Sequence, residues 1–150
     1  GIPVKAGSTC HAVTELRDVM PTLLSAAGAS IPDSVDGADL LPLAQDPQQT
    51  VRPWLHGEHA YGPFSNHWIV TETDKYIWHA ATGQEQYFNL AEDPHELTDL
   101  INDNMYKERI SFLRSCLVES LKDRPEGFVK DGSLLPGQPY PETMEHIKAI

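Results

Sequence analysis

Positive charge is scarce in this chain. Eleven Lys and Arg stand against 22 Asp and Glu, a formal net charge of -11. Such a surface repels phosphate backbones and anionic lipid, so neither nucleic acid nor a membrane is expected as a partner. Long apolar runs are missing too, and no stretch is long enough to span a bilayer. No basic-plus-apolar leader opens the chain, and Gly1-Ile2-Pro3 reads as a start internal to a longer protein. Cysteine is rare. Cys10 and Cys116 lie far apart, which makes neither a disulfide framework nor a zinc motif; they read as two buried thiols. What remains is a 150-residue chain, 40% hydrophobic, long enough to bury one core.

The apolar residues that are present fall into two kinds of pattern. Residues 18–27 read as a helix: Asp18 as its cap, Pro21 in the first turn, and Met20, Leu23, Leu24 and Ala27 along one face. Gly28 ends it. Residues 29–46 read as loop, pinned by Leu40, Leu41 and Leu43, and residues 45–53 as a polar surface connection. From residue 54 the period changes to two. Residues 54–59, 66–71, 75–79 and 85–90 read as strands, with turns at Thr73-Asp74 and at 80–84. Short turns make sequential neighbours antiparallel. Residues 103–122 form the longest predicted helix, striped by Tyr106, Ile110, Leu113, Leu117 and Leu121 and stopped before Pro125.

These patterns predict an α+β fold: a small antiparallel sheet of three or four strands packed by a long C-terminal helix. Three regions are expected. Residues 1–46 carry a helix and loop, residues 47–124 the sheet and long helix, and residues 125–150 an extended Pro/Gly-rich tail in which 144–150 adds a short helical turn.

Two stretches carry a family resemblance. The first runs Asp18-Val19-Met20-Pro21-Thr22-Leu23-Leu24, Ala27-Gly28, Ile31-Pro32, Val35-Asp36-Gly37 and Leu40-Leu41-Pro42-Leu43. The second runs Lys75-Tyr76-Ile77-Trp78, Thr82-Gly83, Gln86-Tyr87-Phe88-Asn89-Leu90, Glu92-Asp93-Pro94-His95-Glu96 and Leu100. In this order and spacing they resemble the C-terminal portion of the sulfatases, whose fold is akin to the alkaline phosphatases. Asn89 stands where Asp is common, and Thr98-Asp99 where Thr-Asn is common; neither position is catalytic.

The resemblance implies that the helix and loop of residues 1–46 belong to a larger α/β domain, that the missing N-terminal sulfatase domain is the chain's partner, and that the complete protein hydrolyses a sulfate ester. It also implies a formylglycine made from Cys or Ser in a Cys-x-Pro-x-Arg or Ser-x-Pro-x-Arg motif, and a divalent cation, usually calcium, held by an Asp-Asp pair, an Asp-Asn or Asp-His pair and the nucleophile. Neither the nucleophile motif nor an Asp-Asp pair is in this chain. Cys10 is followed by His-Ala-Val and Cys116 by Leu-Val-Glu, and Asp103-Asn104 reads as a helix cap. No catalytic residue and no metal ligand is therefore assigned, and the isolated chain is expected to be inactive. The alternative is a free-standing binding or structural module.

One stretch still looks chemical. His56-Gly57-Glu58-His59 lies on a predicted strand, where His56 and Glu58 share a face and His56 and His59 do not. That geometry disfavours a metal site built on the two histidines. The open readings are a plain polar strand and a substrate contact. Tyr61, Phe64, His67 and Trp68 surround the Gly62-Pro63 loop and either pack on their own sheet or meet a sugar or aryl ring. His56, Glu58, His59, Tyr61 and His67 are the candidate substrate-binding residues.

Overall fold

The structure, a computed structural model, describes residues 4, 6–60 and 62–139. The chain divides into two compact units, Gly1–Leu55 and His56–Ile150.

In the first unit a single 3-10 turn, Leu16–Asp18, leads into helix α1, Val19–Ala26. Asp18 does not cap α1 with its side chain, contrary to the sequence expectation. It is fully buried instead, and its carboxylate accepts from Arg52 at 2.5 and 2.7 Å, from the Ala38 amide at 2.8 Å and from the Glu15 amide at 2.8 Å. A buried carboxylate needs that many donors, and the long-range ones outcompete the local turn. The Arg52 bond is the main reason its carboxyl falls to about 2. Thr22 completes the knot by donating to the Asp18 carbonyl and accepting from the Leu40 amide. Gly37 is required beside it: a Cβ there would stand 1.9 Å from the Arg17 carbonyl oxygen.

Residues 41–45, expected as loop, form a short helix α2, Leu41–Gln45, with Leu43 buried. Pro42 sits in its first turn and the Asp39 carboxylate accepts from the Leu41 amide, so the start signal was there in a loop-like composition. The apolar face expected of α1 is open to solvent, with Leu23 64% and Met20 49% exposed.

The second unit is built on a four-stranded sheet of order β1-β2-β3-β4: Leu55–His59, Asn66–Val70, Asp74–His79 and Glu85–Asn89. Strands β2–β3 and β3–β4 pair antiparallel, with Ile69 opposite Tyr76, His67 opposite Trp78, and Tyr76 opposite Tyr87. The first turn closes through Thr71 and Asp74 around Glu72-Thr73, one residue earlier than the sequence suggested, because the Thr71 hydroxyl takes the Thr73 and Asp74 amides. Alternation puts Ile69, Tyr76, Trp78 and Tyr87 on one buried face.

Helix α3, Lys107–Leu121, packs on β2 and β3. It is preceded by a 3-10 turn that Asp103 caps through the Met105 amide. Ile110, Leu113, Leu117 and Leu121 are all buried, each contributing about 1.5–3 kcal/mol of apolar burial.

Two three-membered polar clips tie the helix to the sheet. Asp74 accepts from Arg109 at 2.8 and 2.5 Å and from the Tyr87 hydroxyl at 2.5 Å. Glu85 accepts from Arg114 at 2.7 and 2.6 Å and from the Tyr76 hydroxyl at 2.6 Å.

Directly beyond α3 the sequence reading expected extended chain. Val129–Lys130 (β5) and Ser133–Leu134 (β6) instead pair as a hairpin. Asp131 and Gly132 both take positive φ, 50° and 73°, the backbone of a two-residue turn that an Asp-Gly pair favours. The Phe128 ring just before it is fully buried. The helical turn expected at 144–150 lies outside the described residues.

Candidate functional site

Strand β1 places His56 and Glu58 on one face and directs His59 to the other. β2 lies beside β1 and brings His67 to the first face. His56 Nε2 stands 3.2 Å from His67 Nδ1, and Glu58 Oε2 stands 3.5 Å from the same His67 nitrogen. One ligand atom from each of these three residues lies within 4.8 Å of the others. Gly57 between them leaves room for Trp68, since a Cβ there would fall 2.3 Å from the indole. Trp68 thus covers the back of β1 while the polar trio occupies the front.

His67 is the fixed member. It is fully buried, its ring 5.9 Å from that of Trp78 at 28° and 5.0 Å from that of Phe128 at 64°. Burial, then the neighbouring His56 and Arg124, push its imidazole down to about 3, so it stays neutral at physiological pH. Glu58 and His56 are more open. Arg124, just past the end of α3, donates to Glu58 at 3.1 Å and to both oxygens of Glu126 at 2.8 and 3.1 Å. That contact, followed by opposing burial, leaves the Glu126 carboxyl below its ordinary range. The trio with Arg124 and Glu126 offers imidazole, carboxylate and guanidinium groups together: a surface able to bind polar ligands by hydrogen bonds, or to hold a cation.

Of the residues singled out from sequence, His56, Glu58 and His67 converge. His59 points away from them, and Tyr61 lies outside the described residues. Arg124, Glu126 and Phe128 were not foreseen. Arg124 lies 66 residues from Glu58, and that separation leaves no local pattern that joins them.

The cysteines do not enter the site. Cys116 is buried on α3, and burial raises its thiol, the reverse of what a nucleophile needs. Among the described residues no helix is long and apolar enough to cross a membrane.

Comparison with known proteins places these elements. Residues 2–123 match the family described as N-sulphoglucosamine sulphohydrolase, C-terminal. An arylsulfatase of Clostridium perfringens (strain 13 / Type A) is 49% identical over 144 residues, which are 96% of this chain and 30% of that protein. Arylsulfatase K of Homo sapiens is 32% identical over 117 residues, covering 67% of this chain and 21% of that protein. Among solved structures, that of BT4656 in complex with its substrate D-glucosamine-2-N,6-O-disulfate superposes with a TM-score of 0.71 at 25% identity, covering 79% of this chain and 26% of that one. The chain therefore spans less than a third of the length of these relatives.

Proposed function

The chain belongs to the N-sulphoglucosamine sulphohydrolase C-terminal family, the C-terminal portion of sulfatases, and on that footing we propose that it serves a larger enzyme that hydrolyses sulfate esters. Its own part is structural support and recognition of the substrate beyond the reacting sulfate. The observation that carries the reading is the 49% identity to an arylsulfatase across almost the whole chain.

Hydrolysis of a sulfate ester needs a nucleophile, and cations for the charge that develops on the leaving oxygen. The formylglycine and the calcium ion that the family resemblance implies are assigned by this reading to residues outside this chain. The residues present fit neither. Neither cysteine sits in the modification motif, and Cys116 is buried in a helix. The cluster of potential ligands at His56, Glu58 and His67 is two imidazoles and one carboxylate, whereas calcium takes six to eight oxygens.

Recognition is assigned to His56, Glu58, His59, Tyr61 and His67. His67 would act through His56, because its ring is buried and bonded to it. The exposed apolar face of α1, with Met20 and Leu23, is the surface by which the N-terminal sulfatase domain would be met.

The test is a graft. The matching 144 residues of the Clostridium perfringens arylsulfatase are replaced by this chain, and turnover of an aryl sulfate is measured for the chimaera and for the chain alone. The chimaera is expected to turn over and the chain alone to be inert. Chelator-sensitive hydrolysis by the chain alone, or a soluble, folded chimaera with no turnover, refutes the proposal.

A further inference from the structure

We propose that His56, Glu58 and His67 form a binding site for a divalent transition-metal ion of the zinc class, distinct from the calcium that sulfatases use. The inference stands on side-chain geometry and is independent of the recognition role assigned above. Two ligands about 2.0–2.1 Å from a tetrahedral ion are about 3.3–3.4 Å apart. His56 Nε2 and His67 Nδ1 are 3.2 Å apart, and Glu58 Oε2 is 3.5 Å from the shared His67 nitrogen. The two edges measured are thus close to those of one tetrahedral face.

The ring orientation agrees. The imidazole planes are inclined by only 17°, with centroids 5.4 Å apart. With the nitrogens at 3.2 Å, the rings must meet edge to edge and not face to face. In this contact the two nitrogens face each other, and an ion about 2.0–2.1 Å from both lies to the side of the line between them, so the more open His56 ring must swing while His67 holds its place.

The surroundings permit that step. His67 is wedged against Trp78 and Phe128 and supplies a rigid donor. Glu58 is on the strand's open side, its side chain 35% exposed, and its carboxylate can turn to the ion by leaving Arg124. Arg124 would release Glu58, but it keeps two bonds to Glu126. Two carboxylates against one guanidinium leave the site net negative, which favours a cation. Water from the open side would fill the fourth position. Two nitrogens and one carboxylate suit zinc, cobalt or nickel and are a poor set for calcium or magnesium.

The test uses the full chain without a histidine tag, titrated with Zn2+ by calorimetry and with Co2+ by visible absorption. One equivalent of Zn2+ is expected to bind and to raise the melting temperature. Co2+ is expected to give the intense bands of four-coordinate geometry, bleached by Zn2+, and Ca2+ to give neither signal. His56→Ala and Glu58→Gln are each expected to weaken Zn2+ about tenfold or more, whereas His95→Ala, at an exposed histidine elsewhere, is expected to leave it unchanged. Both informative variants are on the open strand, so the test does not depend on replacing buried His67. No saturable one-equivalent binding, binding by both variants as tight as by the parent chain, or equal loss in His95→Ala overturns the proposal.

Discussion

Arg109→Met tests whether the clips between α3 and the sheet are stabilising or ornamental. Met keeps the packing volume of the arginine stem and removes the charge. What it leaves behind is the Asp74 carboxylate, 6% exposed, still accepting from Tyr87 and from the Thr71 and Thr73 hydroxyls but without a countercharge. Breaking a fully buried pair costs about 3–5 kcal/mol. Arg109 is not fully buried, its side chain being 39% exposed. Solvent screens part of the interaction, so about 2 kcal/mol is expected.

The second clip supplies the internal control. Arg114 is as exposed as Arg109, but Glu85 is 24% exposed against 9% for the Asp74 side chain. Water can take over at Glu85, and Arg114→Met should cost about 1 kcal/mol or less. Urea denaturation of the two variants at neutral pH reads the difference directly.

The pH dependence adds a sign. Burial raises the Asp74 carboxyl, but the bonds from Tyr87 and Arg109 outweigh it and leave it below its ordinary value. A depressed carboxyl contributes stability that is present above its unfolded pKa, about 4, and is lost as pH falls through the lower folded value. Arg109→Met removes much of that term, so its deficit should shrink as the pH is lowered through that window. Equal cost for the two variants, or a deficit at Arg109 that does not change with acid, would show that the carboxylate does not depend on its arginine.

Other consequences are as concrete. Ile110→Asp buries an unpaired charge under α3 and should leave the second unit unfolded at room temperature by circular dichroism; a cooperative melt of normal midpoint counts against the packing. Gly57→Ala forces a methyl into the Trp68 indole and should cost about 1–3 kcal/mol by overpacking; unchanged stability and unchanged tryptophan fluorescence speak against the strand position. In an intact enzyme carrying this segment, His56→Ala or His59→Ala should lower kcat/KM for the natural substrate more than for a small aryl sulfate, as loss of a remote contact does. Equal loss on both substrates removes these residues from recognition.

Much of the fold was legible because it rests on local periodicity. The two-residue alternation through Trp68–Val70 and Tyr76–Trp78, and the helical stripe of Ile110, Leu113, Leu117 and Leu121, are properties of short windows and survive folding unchanged. The failures have two physical forms. Asp18 satisfied every local rule for a helix cap, yet its carboxylate went to Arg52 and Ala38, neighbours 34 and 20 residues away. The β5–β6 hairpin was hidden by the opposite error, where Pro and Gly frequency outweighed the specific Asp131-Gly132 pair that sets the turn.

The candidate site divides along the same line. That His56 and Glu58 share a face follows from strand geometry alone, and the sequence is enough for it. Which third residue meets them depends on which strand lies beside β1, and that is decided by the sheet's order. His67 bordered the aromatic loop and also fell in the predicted 66–71 strand; the fold makes it the second residue of β2, opposite Trp78 and under Phe128. Arg124 and Phe128 arrive only after α3 has crossed the sheet and returned the chain to β1. A site assembled from two adjacent strands and the segment beyond a helix has no window in which its members appear together. Its chemistry is a product of tertiary order, so a change to that order at Gly57 or Phe128 should disturb the site as surely as a change to His56 itself.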